Sequence, residues 1–146
     1  MRASDFAYLD ADVPIALAHR GGTAHPANLG IENTLAAFQH AVDLGFRYLE
    51  TDVHATRDGE LVAFHDVSLD RVTDRDGLIK ERSWAEVSQA RIGGREPIPR
   101  LVDLLEAFPQ ARLNIDVKDD AAMAPTIDVV RAHDALDRVC LASFSG

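Results

Sequence analysis

Short apolar runs alternate with helical patterns along this 146-residue chain, and the apolar runs end in polar residues. The first wholly apolar run covers residues 15–18, and His19, Arg20 and a pair of glycines follow it directly. That pattern predicts a strand, buried on both faces, that ends in a loop. Repetition of the pattern restricts the fold, because it places polar residues at equivalent ends of successive strands.

Capping signals and hydrophobic spacing predict the other regular elements. N-cap residues precede apolar patterns of helical period, whereas alternating or wholly apolar runs mark strands. The first predicted elements are a helix that starts at Asn33 or Thr34 and stops at Gly45, a strand over 46–53, a turn at Asp58 and Gly59, and a strand over 61–64. The later ones are a helix over 101–108, a strand over 113–117, a helix with Pro125 in its first turn that runs towards Leu136, and a strand over 139–144.

Residues 66–97 interrupt this regular order. Several turn signals there surround one short helical pattern near 83–89. We interpret the chain as a single domain over 1–146, with an N-terminal extension over 1–14 and a loop excursion over 66–97.

Strands that alternate with helices indicate an α/β fold in which helices cover a parallel sheet. In such folds the loops at the C-terminal ends of the strands carry the chemistry. This rule predicts that chemically active side chains from distant parts of the sequence gather at one end of the sheet. They are His19, Arg20, Glu50, Asp52, His65 and Lys118.

Composition narrows the classes of partner and compartment. An apolar fraction of 47% is enough for a core, and a net charge of −9 argues against nucleic acid or an anionic membrane surface as a partner. Cys140 is the only cysteine and lies in an apolar run, so we expect a buried, unreactive thiol and a reducing compartment. The first residues show neither a signal peptide nor a membrane span, and we expect a cytoplasmic location.

Three acidic residues are candidate metal ligands. Glu50 and Asp52 are two apart on a predicted strand, so their side chains point to the same face. Two inward-facing carboxylates repel unless a cation lies between them, and the apolar neighbours of this pair favour burial over exposure to solvent. Asp116 lies in another apolar strand and can complete the site. Ligation by oxygen alone favours Mg²⁺ or Ca²⁺ over zinc.

Two histidines and two basic residues extend the candidate site. His19 and His65 each follow a buried strand closely, and each can act as general acid or base near neutral pH. Arg20 stands beside the glycine pair, and its planar fork suits two phosphate oxygens. Lys118 follows Asp116 by two residues and adds a second positive charge on the same side.

Structural roles are the alternative for each of these residues taken singly. A lone lysine or arginine is usually solvated, and a lone histidine at a strand end is usually structural. His54 lies on the polar approach to the Asp58-Gly59 turn, and we interpret it as a loop residue.

Together these residues resemble the glycerophosphodiester phosphodiesterase family. Its pattern of His-Arg, Glu-x-Asp and His-Asp is met by His19-Arg20, Glu50-Thr51-Asp52 and His65-Asp66. The similarity runs from about residue 15 to the end and includes Glu32-Asn33-Thr34, Asp58-Gly59, Pro97-Ile98-Pro99 and Asn114-Ile115. The resemblance implies metal ligation by Glu50, Asp52 and Asp116, acid and base roles for His19 and His65, and phosphate contacts from Arg20 and Lys118.

The chain departs from the family pattern in two respects. Asp116 and Lys118 stand where the family usually has Glu-x-Lys, and the carboxylate reaches less far by ~1.5 Å, which predicts weaker or water-bridged metal binding. The family fold is a (β/α)₈ barrel of typically ~250 residues. We therefore expect a partial barrel of about five parallel strands with outer helices, without the C-terminal units. Its open edges predict a fragment or a chain that self-associates.

The expected function is metal-dependent hydrolysis of a small glycerophosphodiester to glycerol phosphate and an alcohol such as choline or ethanolamine. Either histidine can be the acid, and either water or the neighbouring glycerol hydroxyl can be the nucleophile. Two alternatives stay open. One is the same chemistry on a lysophospholipid or another phosphodiester, and the other is a non-catalytic partial barrel that binds only an anion or a partner chain.

Overall fold

Parallel strands covered by helices form the main layer of the structure. The computed structural model describes residue 2 and residues 5–11 and 14–143. Within these ranges the strands are β1 (Leu17–Ala18), β2 (Tyr48–Ala55), β3 (Leu61–Ala63), β4 (Arg91–Ile92), β5 (Glu96–Pro97), β6 (Arg112–Val117) and β7 (Val139–Ala142). The α-helices are α1 (Leu35–Asp43), α2 (Trp84–Val87), α3 (Leu101–Ala107) and α4 (Asp120–Ala132). Short 3₁₀ turns occupy Ala7–Leu9, His19–Gly21, Pro26–Asn28, Ile79–Glu81 and Leu136–Arg138.

The main sheet has the order β1-β2-β6-β7, with these strands parallel, and β3 pairs antiparallel with the end of β2. Within the described residues, a five-stranded α/β sheet is therefore confirmed, but one of the five expected parallel strands runs in the opposite direction. The connection over 56–60 contains the predicted Asp58-Gly59 turn. A parallel partner needs a crossover of about a dozen residues, so this short connection forces β3 to run back along β2.

Helix α1 begins and ends at residues that local chemistry selects. Thr34 is its N-cap: the hydroxyl accepts a hydrogen bond from the N–H of Ala37 at 3.1 Å and donates to the carbonyl of Ile31 at 2.8 Å. Asn33, the other candidate cap, has a left-handed backbone and does not cap the helix. Gly45, with φ of +93°, follows the C-terminal end. Both predicted ends of the helix are confirmed.

The main hydrophobic core lies between the sheet and helices α1, α3 and α4. The rings of Phe38 and Phe108 have centroids 6.2 Å apart. Leu113 and Ile115 of β6 are fully buried beneath these helices. Burying a side chain of this size contributes about 1.5–3 kcal/mol, so this layer fixes the strands whose C-terminal ends carry the polar residues.

The two edge strands are more exposed than the sequence pattern predicts. Leu17 in β1 is 40% exposed, so the expectation that this strand is buried on both faces is wrong. Cys140 in β7 is exposed, which contradicts the expected buried thiol. In the described part of the chain each of these two edge strands, β1 and β7, has one sheet neighbour, so part of its apolar surface has nothing to pack against. Self-association and a cytoplasmic location stay predictions. Phe144, in the strand expected over 139–144, lies outside the described residues.

Helix α4 begins earlier than the proline signal indicates. Asp119 is the N-cap and the helix starts at Asp120, so Pro125 lies inside it, and its expected place in the first turn is wrong. The Asp119 carboxylate accepts a hydrogen bond from the N–H of Ala121 at 2.9 Å, and this earlier cap sets the start. Leu136 falls in a separate 3₁₀ turn. No helix in the described ranges combines the length and apolar character that crossing a membrane requires.

Residues 66–97 fold into a small unit with its own apolar cluster. The unit contains the antiparallel pair β4-β5 and helix α2, which confirms the short helix predicted near 83–89. Ser83 and Glu86 form a capping box at the start of α2. The apolar cluster consists of Val62, Phe64, Leu69, Ile79, Val87, Ala90, Ile92 and Ile98. Because Val62 belongs to β3, the cluster attaches the unit to the main sheet.

Gly21 allows a test of the close packing between the loop after β1 and helix α1. Its φ is +82°, and a Cβ there would lie 3.0 Å from the Cβ of Ala37 and 3.2 Å from its carbonyl carbon. Gly59 has a similar φ of +85° and, within the described residues, open space around a Cβ. Alanine at either position incurs the left-handed backbone cost of about 1–2 kcal/mol. We expect Gly21→Ala to lower the free energy of unfolding by about 1–3 kcal/mol more than Gly59→Ala in urea titrations. Equal losses would contradict the close packing.

Candidate active site

The loop after β1 has an uncommon backbone shape that directs the main chain of Arg20 towards β2. His19–Gly21 form a 3₁₀ turn in which Arg20 has a left-handed φ of +49°. Asn28 is buried and donates from Nδ2 to the carbonyls of the two glycines at 2.9 and 3.2 Å. These hydrogen bonds fix the loop, and the N–H of Arg20 donates to Glu50.

Glu50 joins this loop to β2. Its carboxylate accepts the hydrogen bond from the N–H of Arg20 at 2.8 Å, and Nε2 of His19 lies 3.9 Å from the same oxygen. Burial raises the pKa of the Glu50 carboxyl above its ordinary value, and the Arg20 N–H opposes that rise. Asp52 follows two residues later on the same strand, so both side chains lie on one face of β2.

Asp52 is a carboxylate only 2% exposed, and three donors surround it. Nζ of Lys118 lies 3.0 Å from Oδ1, Nε of Arg20 lies 3.6 Å from Oδ2, and Nδ2 of Asn33 donates to Oδ2 at 3.1 Å. The hydroxyl of Thr51 donates to Oδ1 of Asn33 at 2.9 Å, which holds the amide in this orientation. The donors compensate a buried charge that would otherwise be strongly destabilising.

Asp116 of β6 is the register partner of Asp52, so the two carboxylates are neighbours across the parallel sheet. Lys118 forms ion pairs with both of them. Burial acts to lower the pKa of Lys118, but the hydrogen bonds to Asp116 and Asp52 outweigh it and raise the pKa above its ordinary value. Oδ1 of Asp116 is buried and has no hydrogen-bond partner among the described residues.

The three carboxylates fit a hard cation by their chemistry. Glu50, Asp52 and Asp116 offer only oxygen atoms, which Mg²⁺ and Ca²⁺ prefer, and the unpartnered Oδ1 of Asp116 is an atom that a cation would satisfy. Within the described ranges, however, the side chains form no group of three His, Cys, Asp or Glu that could hold a metal ion as they stand. Lys118 forms ion pairs with two of the three carboxylates, Asp52 and Asp116. The metal assignment stays a prediction.

His65 follows β3 and is held beside the end of β2. The N–H of Phe64 donates to the carbonyl of Asp52 at 2.9 Å, and Nε2 of His54 donates to the carbonyl of His65 at 3.0 Å. Because β2 continues to Ala55, His54 is a buried strand residue, and its interpretation as a loop residue is wrong. Burial lowers the pKa of His54 below its ordinary value, which favours the neutral imidazole that supports His65.

A network of hydrogen bonds and ion pairs connects His65 to Arg20. Nδ1 of His65 lies 2.7 Å from Oδ1 of Asp66, and Arg71 donates to both oxygens of Asp66 at 2.6 and 2.9 Å. Arg71 also donates to both oxygens of Glu32 at 3.2 and 2.7 Å, and Arg20 donates to Glu32 at 3.3 Å. The hydrogen bonds from Arg71 hold the pKa of Asp66 well below its usual range, so this carboxylate stays ionised.

Direct contacts or this network connect all the site residues that the sequence indicates. They are His19, Arg20, Glu50, Asp52, His65, Asp116 and Lys118. The structure thus brings together residues from the ends of β1, β2, β3 and β6. Their catalytic, phosphate-binding and metal-binding roles stay predictions.

Sequence reasoning assigned no role in the site to Glu32, Asn33, Asp66 or Arg71. Glu32 appears only as part of the resemblance, and Asn33 appears there and as a candidate helix cap. The tolerance of asparagine for a left-handed backbone is a weak signal for the conformation of Asn33. Asp66 gives a signal through its position next to His65. Arg71 gives none, because it lies in a segment without periodicity.

Parallel strands with a polar cluster at their C-terminal ends define a partial (β/α)₈ barrel, the fold of the solved structures that the chain resembles. The model of the glycerophosphoryl diester phosphodiesterase family matches residues 19–146, and the chain belongs to this family.

Individual relatives agree with this membership. A probable glycerophosphodiester phosphodiesterase 2 of Mycobacterium tuberculosis is 44% identical over 131 residues, which cover 90% of this chain and 48% of that protein. A lysophospholipase D of Homo sapiens is 39% identical over 115 residues, which cover 70% of this chain and 35% of that protein. A structure of an Oleispira antarctica phosphodiesterase in complex with the product sn-glycerol-3-phosphate superposes with a TM-score of 0.81 at 33% identity, covering 90% of this chain and 58% of that one. The chain thus spans only part of the length of these relatives.

Asn33 allows a test of charge compensation around Asp52. Asn33→Asp keeps the shape of the side chain but replaces the Nδ2 donor with an acceptor that faces the Asp52 carboxylate. We expect this substitution to lower the free energy of unfolding at pH 7 by about 3–5 kcal/mol, because a buried charge loses a partner and gains a like charge. Urea titration measures the loss.

Asn33→Gly is the matched control. Glycine accepts the φ of +58° at this position, and the substitution removes the hydrogen bonds without adding charge. We expect a smaller loss of about 1–3 kcal/mol. If Asn33→Asp proves as stable as Asn33→Gly at the same pH, charge compensation at Asp52 does not govern the stability of the site.

Proposed function

We propose that this chain carries the reacting side chains of a phosphodiester hydrolase that cleaves a glycerophosphodiester to glycerol phosphate and an alcohol. Direct contacts and one hydrogen-bond network connect two cations, three carboxylates and two histidines at one end of the sheet, and this connection carries the proposal. Family membership and the names of the relatives support the same reaction. Because the chain spans only part of those relatives, the activity is inferred for this site rather than transferred from the whole proteins.

Arg20 and Lys118 are the proposed phosphate contacts. Both lie against Asp52, Arg20 through Nε and Lys118 through Nζ. Their side chains are 19% and 25% exposed, so a small anion can reach the remaining N–H groups. Charge-assisted hydrogen bonds of this kind strengthen as negative charge gathers on the phosphoryl oxygens in the transition state.

Glu50, Asp52 and Asp116 are the proposed ligands of a divalent cation, Mg²⁺ or Ca²⁺. When bound, such an ion supplies positive charge that neutralises phosphoryl oxygens. Asp116 is shorter than a glutamate at the same place, and its carboxylate already pairs with Lys118. We therefore expect weaker binding at this site than three unshared carboxylates would give.

His19 and His65 are the proposed acid and base. One histidine takes a proton from the attacking hydroxyl, of water or of glycerol, as its oxygen bonds to phosphorus; the other gives a proton to the departing alcohol oxygen as its P–O bond breaks. Attack by water gives glycerol phosphate directly, whereas attack by the glycerol hydroxyl gives a cyclic phosphate that water must then open by breaking a ring P–O bond. Asp66 holds Nδ1 of His65, so Nε2 is the nitrogen left to face the substrate. The His19 side chain is 62% exposed and lies beside Glu50. It is therefore accessible to the attacking hydroxyl or to the departing alcohol.

A lysophospholipid is the second candidate substrate. The identity of 39% to a human lysophospholipase D favours it, and the reacting phosphodiester has the same chemistry in both substrate classes. The two differ in the acyl chain, which needs an apolar surface near the site. The polar surroundings of Arg20 and Lys118 favour the small substrate.

Hydrolysis of glycerophosphocholine tests the proposed function. With Mg²⁺ or Ca²⁺, the purified chain should release glycerol phosphate, and it should act faster on glycerophosphocholine than on lysophosphatidylcholine. We expect His65→Ala to lower kcat by about 10²–10⁴-fold, because general acid–base catalysis supplies a factor of that size. An enzyme-coupled assay for glycerol phosphate measures both results.

His133 provides the matched control for this experiment. It lies at the C-terminal end of α4, 3.4 Å from Glu106, where the chain returns towards the start of β7. His133→Ala should keep the rate of the parent chain. An unchanged rate in His65→Ala would refute the assignment of His65. A parent chain that binds the cation without releasing glycerol phosphate would instead favour the non-catalytic alternative.

Metal binding can be measured without turnover. We expect Mg²⁺ or Ca²⁺ to raise the Tm of the parent chain, because a ligand at 100 times its Kd stabilises the folded state by about 2.7 kcal/mol. Asp116→Asn should abolish the shift, whereas Asp128→Asn, an exposed aspartate of α4, should retain it. Equal shifts in the two variants would show that the cation binds elsewhere.

A further inference from the structure

One arginine links two halves of the proposed site from outside the main sheet. Arg71 belongs to the 66–97 unit and makes two hydrogen bonds to each of two carboxylates, Asp66 and Glu32. Asp66 contacts Nδ1 of His65, and Glu32 contacts Nη1 of Arg20. Arg71 is thus the central member of a continuous chain of charge-assisted contacts from a proposed acid–base group to a proposed phosphate contact.

The backbone around Arg71 is held firmly. Leu69, two residues earlier, is buried in the apolar cluster of the unit, and its N–H donates to the carbonyl of Gly77 at 3.0 Å. The hydroxyl of Thr73 donates to the carbonyl of Leu69 at 2.8 Å. The Arg71 side chain is 49% exposed, so its position is set by the carboxylates and the fixed backbone rather than by burial.

We propose that Arg71 is a positioning residue that couples His65 to Arg20 through Asp66 and Glu32. The inference rests on the proposed function, in which His65 moves a proton and Arg20 binds phosphate. Arg71 places one positive charge between Asp66 and Glu32 and keeps their carboxylates in one orientation. Asp66 in turn orients His65, and Glu32 orients Arg20, the two groups proposed to face the substrate.

The shared Glu32 explains how a change at Arg71 reaches Arg20. Oε1 of Glu32 accepts a hydrogen bond from Arg71 at 2.7 Å and one from Arg20 at 3.3 Å. Glu32 therefore interacts more strongly with Arg71 than with Arg20. Without Arg71, Glu32 turns fully to Arg20 and competes with a phosphate for the same donors. A planar guanidinium can donate two hydrogen bonds to each of two carboxylates, whereas a lysine ammonium acts as a point charge and cannot reproduce that geometry.

Substitution of Arg71 tests the coupling by kinetics. We expect Arg71→Ala to lower kcat/KM for glycerophosphocholine by about 10–100-fold, with a fall in kcat and a rise in KM, because small displacements of reacting groups have effects of this size. Arg71→Lys should lower kcat/KM less than Arg71→Ala does, but it should not keep the value of the parent chain. This lysine variant also provides the test if the alanine variant does not fold. Arg95→Ala removes an exposed ion pair with Glu96 elsewhere in the same unit and should leave both constants unchanged.

Nuclear magnetic resonance tests the coupling without turnover. In Arg71→Ala the Nε–H signal of Arg20 should shift, since Arg20 and Arg71 share Glu32, and the pKa of Asp66 should rise. Arg95→Ala should change neither. If the parent chain shows no activity, the proposed function fails and these spectra alone decide on the coupling. An unmoved Arg20 signal in Arg71→Ala overturns the inference, whether or not kcat/KM falls, and so does an unchanged kcat/KM in an active chain.

Discussion

The buried carboxylate of Asp52 is the constraint on which the rest of the site depends. Its partners come from three separate segments, namely the loop after β1, the residue before the cap of α1, and the end of β6. Each partner reaches Asp52 only when the strands stand in the observed parallel order, and Asp52 tolerates burial only when the partners arrive. Strand order and charge compensation therefore support each other. Arg20 and Lys118, which neutralise Asp52, are also the residues proposed to meet the substrate.

Much of the site could be predicted from the sequence because simple geometric rules place its residues. The two-residue period of a strand puts Glu50 and Asp52 on one face, and the parallel register puts Asp116 beside Asp52. Helix α1 could be predicted for a different reason, since its cap at Thr34 and its stop at Gly45 are local signals. Neither the strand period nor the helix caps require knowledge of which distant surfaces pack together, whereas the place of Asp116 beside Asp52 depends on the pairing of β2 with β6.

The features that the sequence could not predict depend on such packing. An apolar run looks the same in a central strand and in an edge strand, so the exposure of Leu17 and Cys140 has no local signal. His54 is polar in sequence but buried, because β2 continues past the site and pairs with β3. Arg71 acts through Glu32, which is 39 residues away, and its own segment has no periodicity from which that contact could be inferred.

The charge balance of the site gives a reason for the proposed cation that is independent of the ligand pattern. The connected network contains the carboxylates of Glu32, Glu50, Asp52, Asp66 and Asp116 and the cations of Arg20, Arg71 and Lys118. With all of these groups ionised, two negative charges stay uncompensated, and a phosphodiester brings one more to the same place. A phosphodiester would be repelled from such a site unless positive charge is added, and the excess equals the charge of one Mg²⁺ or Ca²⁺. Arg71 faces Asp66 and Glu32, whereas Arg20 and Lys118 face Glu50, Asp52 and Asp116, so one negative charge is left on each side of the network. The charge left on the second side lies on the carboxylates with the oxygen chemistry to hold such an ion.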